Sequence, residues 1–365
     1  MDYAIYKNSL GLALTLMLFF ACYFFIGKTP DKPIYRNYKR SRRYMGMALL
    51  LLSANYSVHL FVGLRFLSQE AAILMNLCTY FMSYWLFSAA LITLLDRFYV
   101  TRRRFMKYIA GWLGMVALAF VILFSVTNRV VSHAGIIAMA VVLFAVGIHL
   151  ARRIIMTYHQ AVRIFDDTHS ENIAAYIRWM SIFTWWAVIY GVSCGILTFL
   201  PDEYVFLWIL SSVPFYIYLF YSYMNYLLFY EQVETILEKS PAEEPPKTDP
   251  SVDTPVYFSV IEKNMKEWLG SDGYTTPGLT IEDLAVRLGT NRTYLSAYIK
   301  QTFGMSFREW IANHRIEYAK RMFTSNPQLT VGEVCEATGF ISQSYFVKIF
   351  AEKEGMSPSK WKKQK

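Results

Sequence analysis

Charged residues are scarce in this chain of 365 residues. They make up 17% of the sequence, whereas hydrophobic residues make up 55%. This composition is too apolar for an ordinary soluble protein and indicates a membrane protein. Cysteine is also rare. Cys22, Cys78, Cys194 and Cys335 have no spacing typical of a zinc site or a disulfide framework. We therefore predict neither a bound metal nor a cofactor.

Motifs of catalytic chemistry are missing as well. The sequence has no carboxylates paired as a catalytic acid and base, no nucleophile motif and no phosphate-binding loop. Such motifs place reactive groups at spacings that a mechanism needs, so their absence leaves a membrane enzyme with almost no support. We predict that the protein is not an enzyme.

Charge is distributed unevenly along the chain. Residues 1–230 carry 19 Lys and Arg against 9 Asp and Glu, residues 231–255 carry 2 against 7, and residues 256–365 carry 15 against 11. These differences in chemistry predict a membrane domain, a linker and a C-terminal domain with the same boundaries.

Seven apolar stretches in the first region are long enough to cross a bilayer, which takes about 20 helical residues. They lie near residues 8–27, 44–64, 71–95, 108–128, 130–151, 179–200 and 204–230. The first stretch lacks a small-residue cleavage site, so we expect a retained helix rather than a signal peptide. The pattern predicts a seven-helix transmembrane domain over residues 1–230.

Basic residues alternate between the two sides of these spans. Sixteen Lys and Arg fall in the loops at 28–43, 96–107 and 152–178, whereas three fall on the opposite side. Cytoplasmic loops carry the excess of Lys and Arg in membrane proteins. We therefore predict an external N-terminus and a cytoplasmic C-terminal region, and we interpret the basic loops as topology signals rather than nucleic-acid patches.

Polar side chains within the spans are candidate ligand contacts, because polar groups are costly in a bilayer. The candidates are Asn55, His59, Asn76, His133 and His149. The alternative is that they form hydrogen bonds between helices or lie near the membrane interface. His133 and His149 are sixteen residues apart and cannot share one metal on one helix.

The linker changes character along its length. EQVETILEK at 231–239 can continue the last span as a polar helix, whereas SPAEEPPKTDPSVDTP at 240–255 contains five prolines. Proline at this density excludes a helix or a packed core and predicts a semi-extended acidic spacer.

The C-terminal region contains a repeat with a period near fifty residues. LTIEDLAVRLG at 279–289 matches LTVGEVCEATG at 329–339, and GMSFREW at 304–310 matches GMSPSKW at 355–361. Each copy has apolar residues at helical spacing, a capping box at its start and a glycine after the first helix. Two copies of one supersecondary unit, helix, turn and helix, are therefore predicted.

We place these two helix-turn-helix pairs at about 280–303 and about 330–352, with a connecting helix at about 306–323. The second helix of such a pair can enter a major groove of DNA. The connecting helix would span about 27 Å, which suits two recognition helices held about one turn of DNA, or 34 Å, apart.

Residues 279–361 resemble the DNA-binding domain of the AraC/XylS family of bacterial transcription regulators. The resemblance rests on NRTYLSAYIKQTFG at 291–304, on TGFISQSYFVKIFAEKEGMSPSKW at 338–361, and on Arg315, Ile316 and Ala319. It implies two helix-turn-helix subdomains on a connecting helix that bind adjacent major grooves and activate or repress transcription. Predicted spans stand in place of the family's usual ligand-binding barrel, so no sugar-type effector carries over. Trp361 stands where the family commonly has Tyr.

The resemblance also implies eight base-facing positions: Arg292, Thr293, Ser296 and Ala297 in the first recognition helix, and Gln343, Ser344, Val347 and Lys348 in the second. By side-chain chemistry, Arg292 can read guanine, Gln343 adenine and Val347 a thymine methyl. Alternatively, Arg292 and Lys348 contact only phosphate. Lys300 and Arg308 are candidate phosphate contacts, with a solvated face as the alternative.

We interpret the sequence as an all-α, membrane-anchored transcriptional regulator of the bacterial cytoplasmic membrane, in which a multi-pass domain senses a signal and a cytoplasmic AraC-type domain binds DNA. The expected partners are double-stranded promoter DNA, the lipid bilayer, RNA polymerase if the protein activates, and a signal ligand of unknown identity; a homodimer is left open. The alternative is a transporter or membrane receptor whose helix-turn-helix end docks a protein. The spans lack a clear inverted repeat, which disfavours a transporter.

Overall fold

The computed structural model describes residues 3–197, 205–239 and 254–364. The regular elements of these ranges are helices, so the predicted all-α class is confirmed. Three features of the sequence lie outside the described residues: the predicted turn at 201–203, residues 240–253 of the predicted linker, and the side chain of Cys194.

The chain divides into two compact units. Unit 1 comprises residues 1–159 and 176–237, and unit 2 comprises residues 160–175 and 238–365. This division differs from the predicted domain boundaries in two respects. Unit 1 continues to residue 237, past the predicted end of the membrane domain at residue 230. Residues 160–175, which the sequence places in a loop of the membrane domain, belong to the C-terminal unit.

Apolar helices, all but one of them long, build the described part of unit 1. They are α1 (Tyr3–Ile26), α2 (Arg36–Ser57), α3 (Leu64–Leu67), α4 (Gln69–Thr93), α5 (Arg102–Ser125), α6 (Arg129–Thr168), α7 (Arg178–Leu197) and α8 (Val205–Lys239). The residues of α6 from 160 onward belong to unit 2. The hydroxyls of Ser68 and Thr101 begin α4 and α5, since each accepts a hydrogen bond from the N–H three residues further on. These caps satisfy backbone donors at the helix ends.

Six helices within the described residues are long and apolar enough to cross a membrane: Ala4–Ile26, Pro33–Val62, Gln69–Thr93, Arg102–Ser125, Arg129–Thr168 and Val205–Leu237. They coincide with six of the seven predicted spans. The remaining predicted span, near 179–200, falls on α7, and its last three residues lie outside the described ranges.

The core of unit 1 lies between its helices, and apolar side chains also cover its outer surface. Phe81 of α4, Met115 of α5 and Met139 of α6 pack in one buried cluster. On the outside, Phe120 of α5 is 60% exposed and Val141 of α6 is 61% exposed. A large apolar outer surface is unusual for a soluble protein and is the composition that lipid contact favours.

Unit 2 contains the shorter, more polar helices. They are α9 (Thr254–Gly270), α10 (Ile281–Arg287), α11 (Arg292–Phe303), α12 (Phe307–Ser325), α13 (Val331–Ala337), α14 (Gln343–Glu354) and α15 (Pro358–Gln364). The sequence reasoning did not assign α9. Its buried residues Ile261, Met265 and Trp268 have the spacing i, i+4, i+7 of an amphipathic helix, a signal that could have identified it.

The connecting helix α12 joins two separate cores. Phe307, Trp310 and Ile311 from its first half pack with α9, α10 and α11, whereas Ile316 and Phe323 from its second half pack with α13, α14 and α15. Because one helix contributes to both cores, it fixes the two helix-turn-helix subdomains relative to each other within unit 2.

Candidate nucleic-acid interface

Capping boxes begin the first helix of each subdomain. Thr280 bonds the N–H of Asp283 and Asp283 bonds the N–H of Thr280, and Thr330 and Glu333 form the same pair of bonds. Reciprocal capping satisfies two free N–H groups at a helix start. The backbone hydrogen bond from Thr330 holds the pKa of Glu333 below its usual value.

Glycine turns separate α10 from α11 and α13 from α14. Gly289 has φ 67° and Gly339 has φ 82°, a left-handed conformation that costs other L-residues free energy. The surroundings of the two glycines differ. A Cβ at Gly339 would collide with the carbonyl group of Thr275, whereas a Cβ at Gly289 would meet nothing within 4 Å.

Side-chain caps and an apolar face orient the two recognition helices, α11 and α14. Asn291 caps α11 by accepting from the N–H of Tyr294, and Ser342 caps α14 by accepting from the N–H of Tyr345. Leu295 of α11 and Phe346 of α14 are both 0% exposed. Burial of this face leaves the opposite face of each helix available to DNA.

The candidate base-reading side chains occupy that opposite face to different degrees. Thr293, Gln343, Ser344 and Lys348 are exposed, whereas Arg292, Ser296, Ala297 and Val347 are half-buried. Val347 packs partly against the second core, so only part of its side chain is available to touch a base. The assignment of these eight residues to base reading remains a prediction.

Two of the candidates form surface ion pairs. Arg292 lies 3.4 Å from Glu282 and Lys348 lies 3.6 Å from Glu352. Exposed pairs of this kind contribute about 0–1 kcal/mol, which is less than the about 1–3 kcal/mol that a bidentate base contact supplies. DNA can therefore displace the carboxylates.

The two candidate phosphate contacts lie in different surroundings. Lys300 is exposed. The guanidinium of Arg308 donates to Asp166 at 3.1 Å and to Asn172 at 3.0 Å, and it lies over the ring of Tyr345 at 5.8 Å. These bonds use two of the five N–H donors of the guanidinium, so a phosphate at Arg308 would compete with Asp166 and Asn172.

Arg315 of the connecting helix is fully buried, with 0% of its surface exposed. It donates to the carbonyl oxygens of Tyr274 and Thr276 at 2.8 Å each and to the carboxylate of Glu171 at 3.1 Å. Burial lowers the pKa of Arg315 and Glu171 raises it. A buried guanidinium needs such a counter-ion, and here the counter-ion comes from a distant part of the chain.

Sequence reasoning missed this role of residues 160–175. A signal was present, since Asp166, Asp167 and Glu171 fall within an otherwise basic loop. The topology prediction counts Lys and Arg in the loops, and acidic residues contribute little to it. The three carboxylates were therefore not considered.

Among the polar candidates of unit 1, the structure brings three together. Asn76 accepts hydrogen bonds from Asn55 at 3.0 Å and from the His59 ring at 2.9 Å, so the interpretation of hydrogen bonds between helices applies to these residues. His133 and His149 lie on the exposed side of α6, and His133 lies 3.7 Å from Glu70. Their assignment as ligand contacts stays a prediction.

Comparison with known proteins identifies the C-terminal domain. Residues 284–364 match a family model described as a helix-turn-helix domain. The chain is 26% identical over 135 residues to the Msm operon regulatory protein of Streptococcus mutans, covering 37% of this chain and 45% of that protein. It is 33% identical over 86 residues to the uncharacterized HTH-type transcriptional regulator YijO of Escherichia coli, covering 24% and 30%.

A third relative is the virulence regulon transcriptional activator VirF of Yersinia enterocolitica, 29% identical over 82 residues, covering 22% of this chain and 30% of that protein. The chain thus spans less than half the length of these curated relatives. No solved structure matches it significantly. The predicted AraC-type helix-turn-helix domain is confirmed, and the relatives are transcriptional regulators rather than enzymes.

Proposed function

We propose that the protein is a membrane-anchored, sequence-specific DNA-binding regulator of transcription that couples a signal received by unit 1 to promoter binding by unit 2. The observation that carries the proposal is the pair of capped recognition helices, α11 and α14. Both bury an apolar face and present polar side chains on the opposite face, as helices that enter a major groove do.

The membrane anchor is supported by the six long apolar helices and their exposed apolar surface. The predicted orientation has support from unit 2. Residues 160–175 pack in the same unit as the DNA-binding helices, which supports the proposal that the loop at 152–178 and the C-terminal region share one side of the membrane. DNA is present on the cytoplasmic side of a bacterial membrane, which agrees with the side predicted from the basic residues.

The DNA assignment is tested on the promoter fragment that genome-wide mapping with the full chain finds most enriched. Replacing a base-reading residue should weaken binding to that fragment by about 1–3 kcal/mol, so Gln343→Ala and Arg292→Ala should each relax sequence preference. Lys300→Ala should instead weaken binding similarly on all sequences and flatten the dependence on salt.

The control is Lys263→Ala, which removes the same charge from α9, outside both helix-turn-helix pairs. Equal binding by the wild type and the three interface variants would refute the assignment at these positions. Binding of a protein partner but of no DNA would favour the docking-module alternative.

A further inference from the structure

Unit 1 contains an apolar cavity between α2, α4, α6, α7 and α8. Its volume is about 190 Å³. A smaller cavity of about 50 Å³ adjoins it, since the two share the lining residues Tyr56, Asn76, Tyr80 and Trp208. Together they form one site with a large apolar part and a small polar end.

Two acceptor atoms define the polar end. Asn55 and His59 line the smaller cavity and are 4% and 6% exposed. Both use a donor nitrogen on the Asn76 oxygen, which leaves Asn55 Oδ1 and His59 Nδ1 buried without a hydrogen-bond partner. Burial of an acceptor without a donor is unfavourable, so this end is suited to a group that donates.

The apolar part opens on the outer surface of α6. Phe144 and Ile148 line the larger cavity and are 51% and 42% exposed, so a ligand can enter from the lipid phase. The larger cavity exceeds the about 150 Å³ that accommodates benzene in an engineered apolar cavity. It is therefore suited to an apolar body of about eight carbon atoms.

We propose that this site binds a small amphiphilic alcohol, with its apolar body in the larger cavity and its hydroxyl donating to Asn55 Oδ1 or His59 Nδ1. The site deepens the proposed function by naming the class of signal. Its binding is measured without DNA, so a failure here is distinct from a failure of the regulator assignment.

The test uses the purified full chain in lipid nanodiscs and a photoreactive derivative of 1-octanol, with labelled peptides mapped by mass spectrometry. Labelling should fall on the cavity-lining segments of α4 and α6 and should be prevented by 1-octanol but not by octane. The hydroxyl has one hydrogen to donate, so one of Asn55→Leu and His59→Leu should weaken competition by about tenfold, as expected for one lost buried hydrogen bond, and the other should weaken it less. Ser57→Ala is the control, because the Ser57 hydroxyl bonds within its own helix.

Three results would overturn the proposal. They are labelling outside the cavity, equal competition by octane, and stronger competition by octanoate than by octanol. The last result would mean an anionic head group near Arg65, which also lines the smaller cavity.

A separate set of contacts, in unit 2, concerns control of DNA binding. Residues 160–175 pack on the DNA-binding helices: the N–H of Ser170 donates to the carbonyl oxygen of Leu279 at 3.0 Å, and His169 pairs with Thr280 in an antiparallel bridge. The sequence predicts that residues 152–178 connect two spans, and the structure shows that α6 continues through this stretch to Thr168. This packing is therefore a second connection to the DNA-binding helices besides the linker.

The packed segment also opposes DNA electrostatically. Asp166 and Asn172 accept hydrogen bonds from Arg308. The guanidinium of Arg308 lies over Tyr345, in the first turn of the recognition helix α14. The segment thus engages the Arg308 side chain, which could otherwise bind a DNA phosphate, and it adds carboxylates near a helix that would approach DNA phosphates. Both changes weaken binding to a polyanion.

We infer that residues 160–175 form an autoinhibitory contact, and that their release from unit 2 raises its affinity for DNA. This inference rests on the proposed function. Since α6 continues as one helix from Arg129 to Thr168, a movement of α6 can act on the segment without passing through the linker.

The first test compares Asp166→Asn with Asp167→Asn in the full chain, using a random-sequence duplex of 30 base pairs. The two variants change net charge equally, but it is the Asp166 carboxylate that accepts a hydrogen bond from Arg308. Release of one phosphate contact should steepen the salt dependence of log K by about 0.9 and raise affinity about eightfold at 0.1 M salt. Asp167→Asn should change both far less.

The second test replaces His169 and Thr280 by cysteine in a chain whose four native cysteines are changed to serine. Directly opposed residues in an antiparallel pair are close enough for a disulfide, so oxidation should link them, and saturating duplex should suppress the link. The autoinhibitory contact would be overturned if saturating duplex left the yield of the disulfide unchanged, or if Asp166→Asn bound DNA more weakly than the wild type. A chain that binds no duplex in any form would instead refute the proposed function.

Discussion

Gly339 offers a sharp test of how the second helix-turn-helix is held, because Gly289 is its counterpart in the first. Both glycines have left-handed φ values, so alanine at either position should cost about 1 kcal/mol of backbone strain. Only at Gly339 would the new methyl group also collide with the backbone of Thr275. Overpacking of this kind costs about 1–3 kcal/mol more.

The Thr275 backbone has little freedom to move away. Arg315 bonds the carbonyl oxygens of Tyr274 and Thr276, on either side of Thr275, and the buried guanidinium is itself fixed in the core. We therefore expect a loss of about 2–4 kcal/mol for Gly339→Ala and about 1 kcal/mol for Gly289→Ala.

Hydrogen exchange of the full chain in nanodiscs measures both changes. Amides of α13 and α14 report the free energy of opening of the second subdomain, and amides of α10 and α11 report the free energy of opening of the first subdomain. The reasoning would be refuted if Gly289→Ala destabilised its subdomain as much as Gly339→Ala destabilises the other.

Three further predictions concern topology, coupling and pH. A reporter that works only in the cytoplasm should be active when it is fused after Lys107 or after Lys239, because the basic residues of the loops predict that both sites are cytoplasmic. Activity at either site of a reporter that works only outside the cell would refute the orientation. Insertion of about ten Gly and Ser residues after Pro250 should reduce regulation only modestly in a reporter assay, since such a spacer is already semi-extended; complete loss of response with intact DNA binding would indicate a rigid lever. Finally, the lowered pKa of Glu333 means that its cap stabilises α13 above the ordinary carboxylate pKa and is lost as pH falls through the lowered value. Hydrogen exchange of α13 should therefore show a difference between wild type and Glu333→Gln at pH 7 that disappears in acid, and a constant difference would contradict the capping role.

The features that sequence determined by itself are those encoded within a few residues. Helical spacing of apolar residues, the capping pairs at Thr280 and Thr330, and the glycines that follow α10 and α13 each act over one or two helical turns. A copy of that pattern fifty residues further on made the tandem helix-turn-helix readable, and long apolar runs did the same for six membrane-compatible helices.

Only the tertiary structure decided which distant residues meet. Arg308 and Asp166 are 142 residues apart in the chain, and Arg315 and Glu171 are 144 apart. Local pattern carries no information on such pairs, because any of several basic residues could have met any of these carboxylates. The same holds for the cluster of Asn55, His59 and Asn76, which is polar by sequence but becomes the end of a cavity only when α2 and α4 pack. Sequence thus determined the helices and their type, whereas packing decided that Asp166 and Asn172 bind Arg308, because long-range contacts depend on the whole fold.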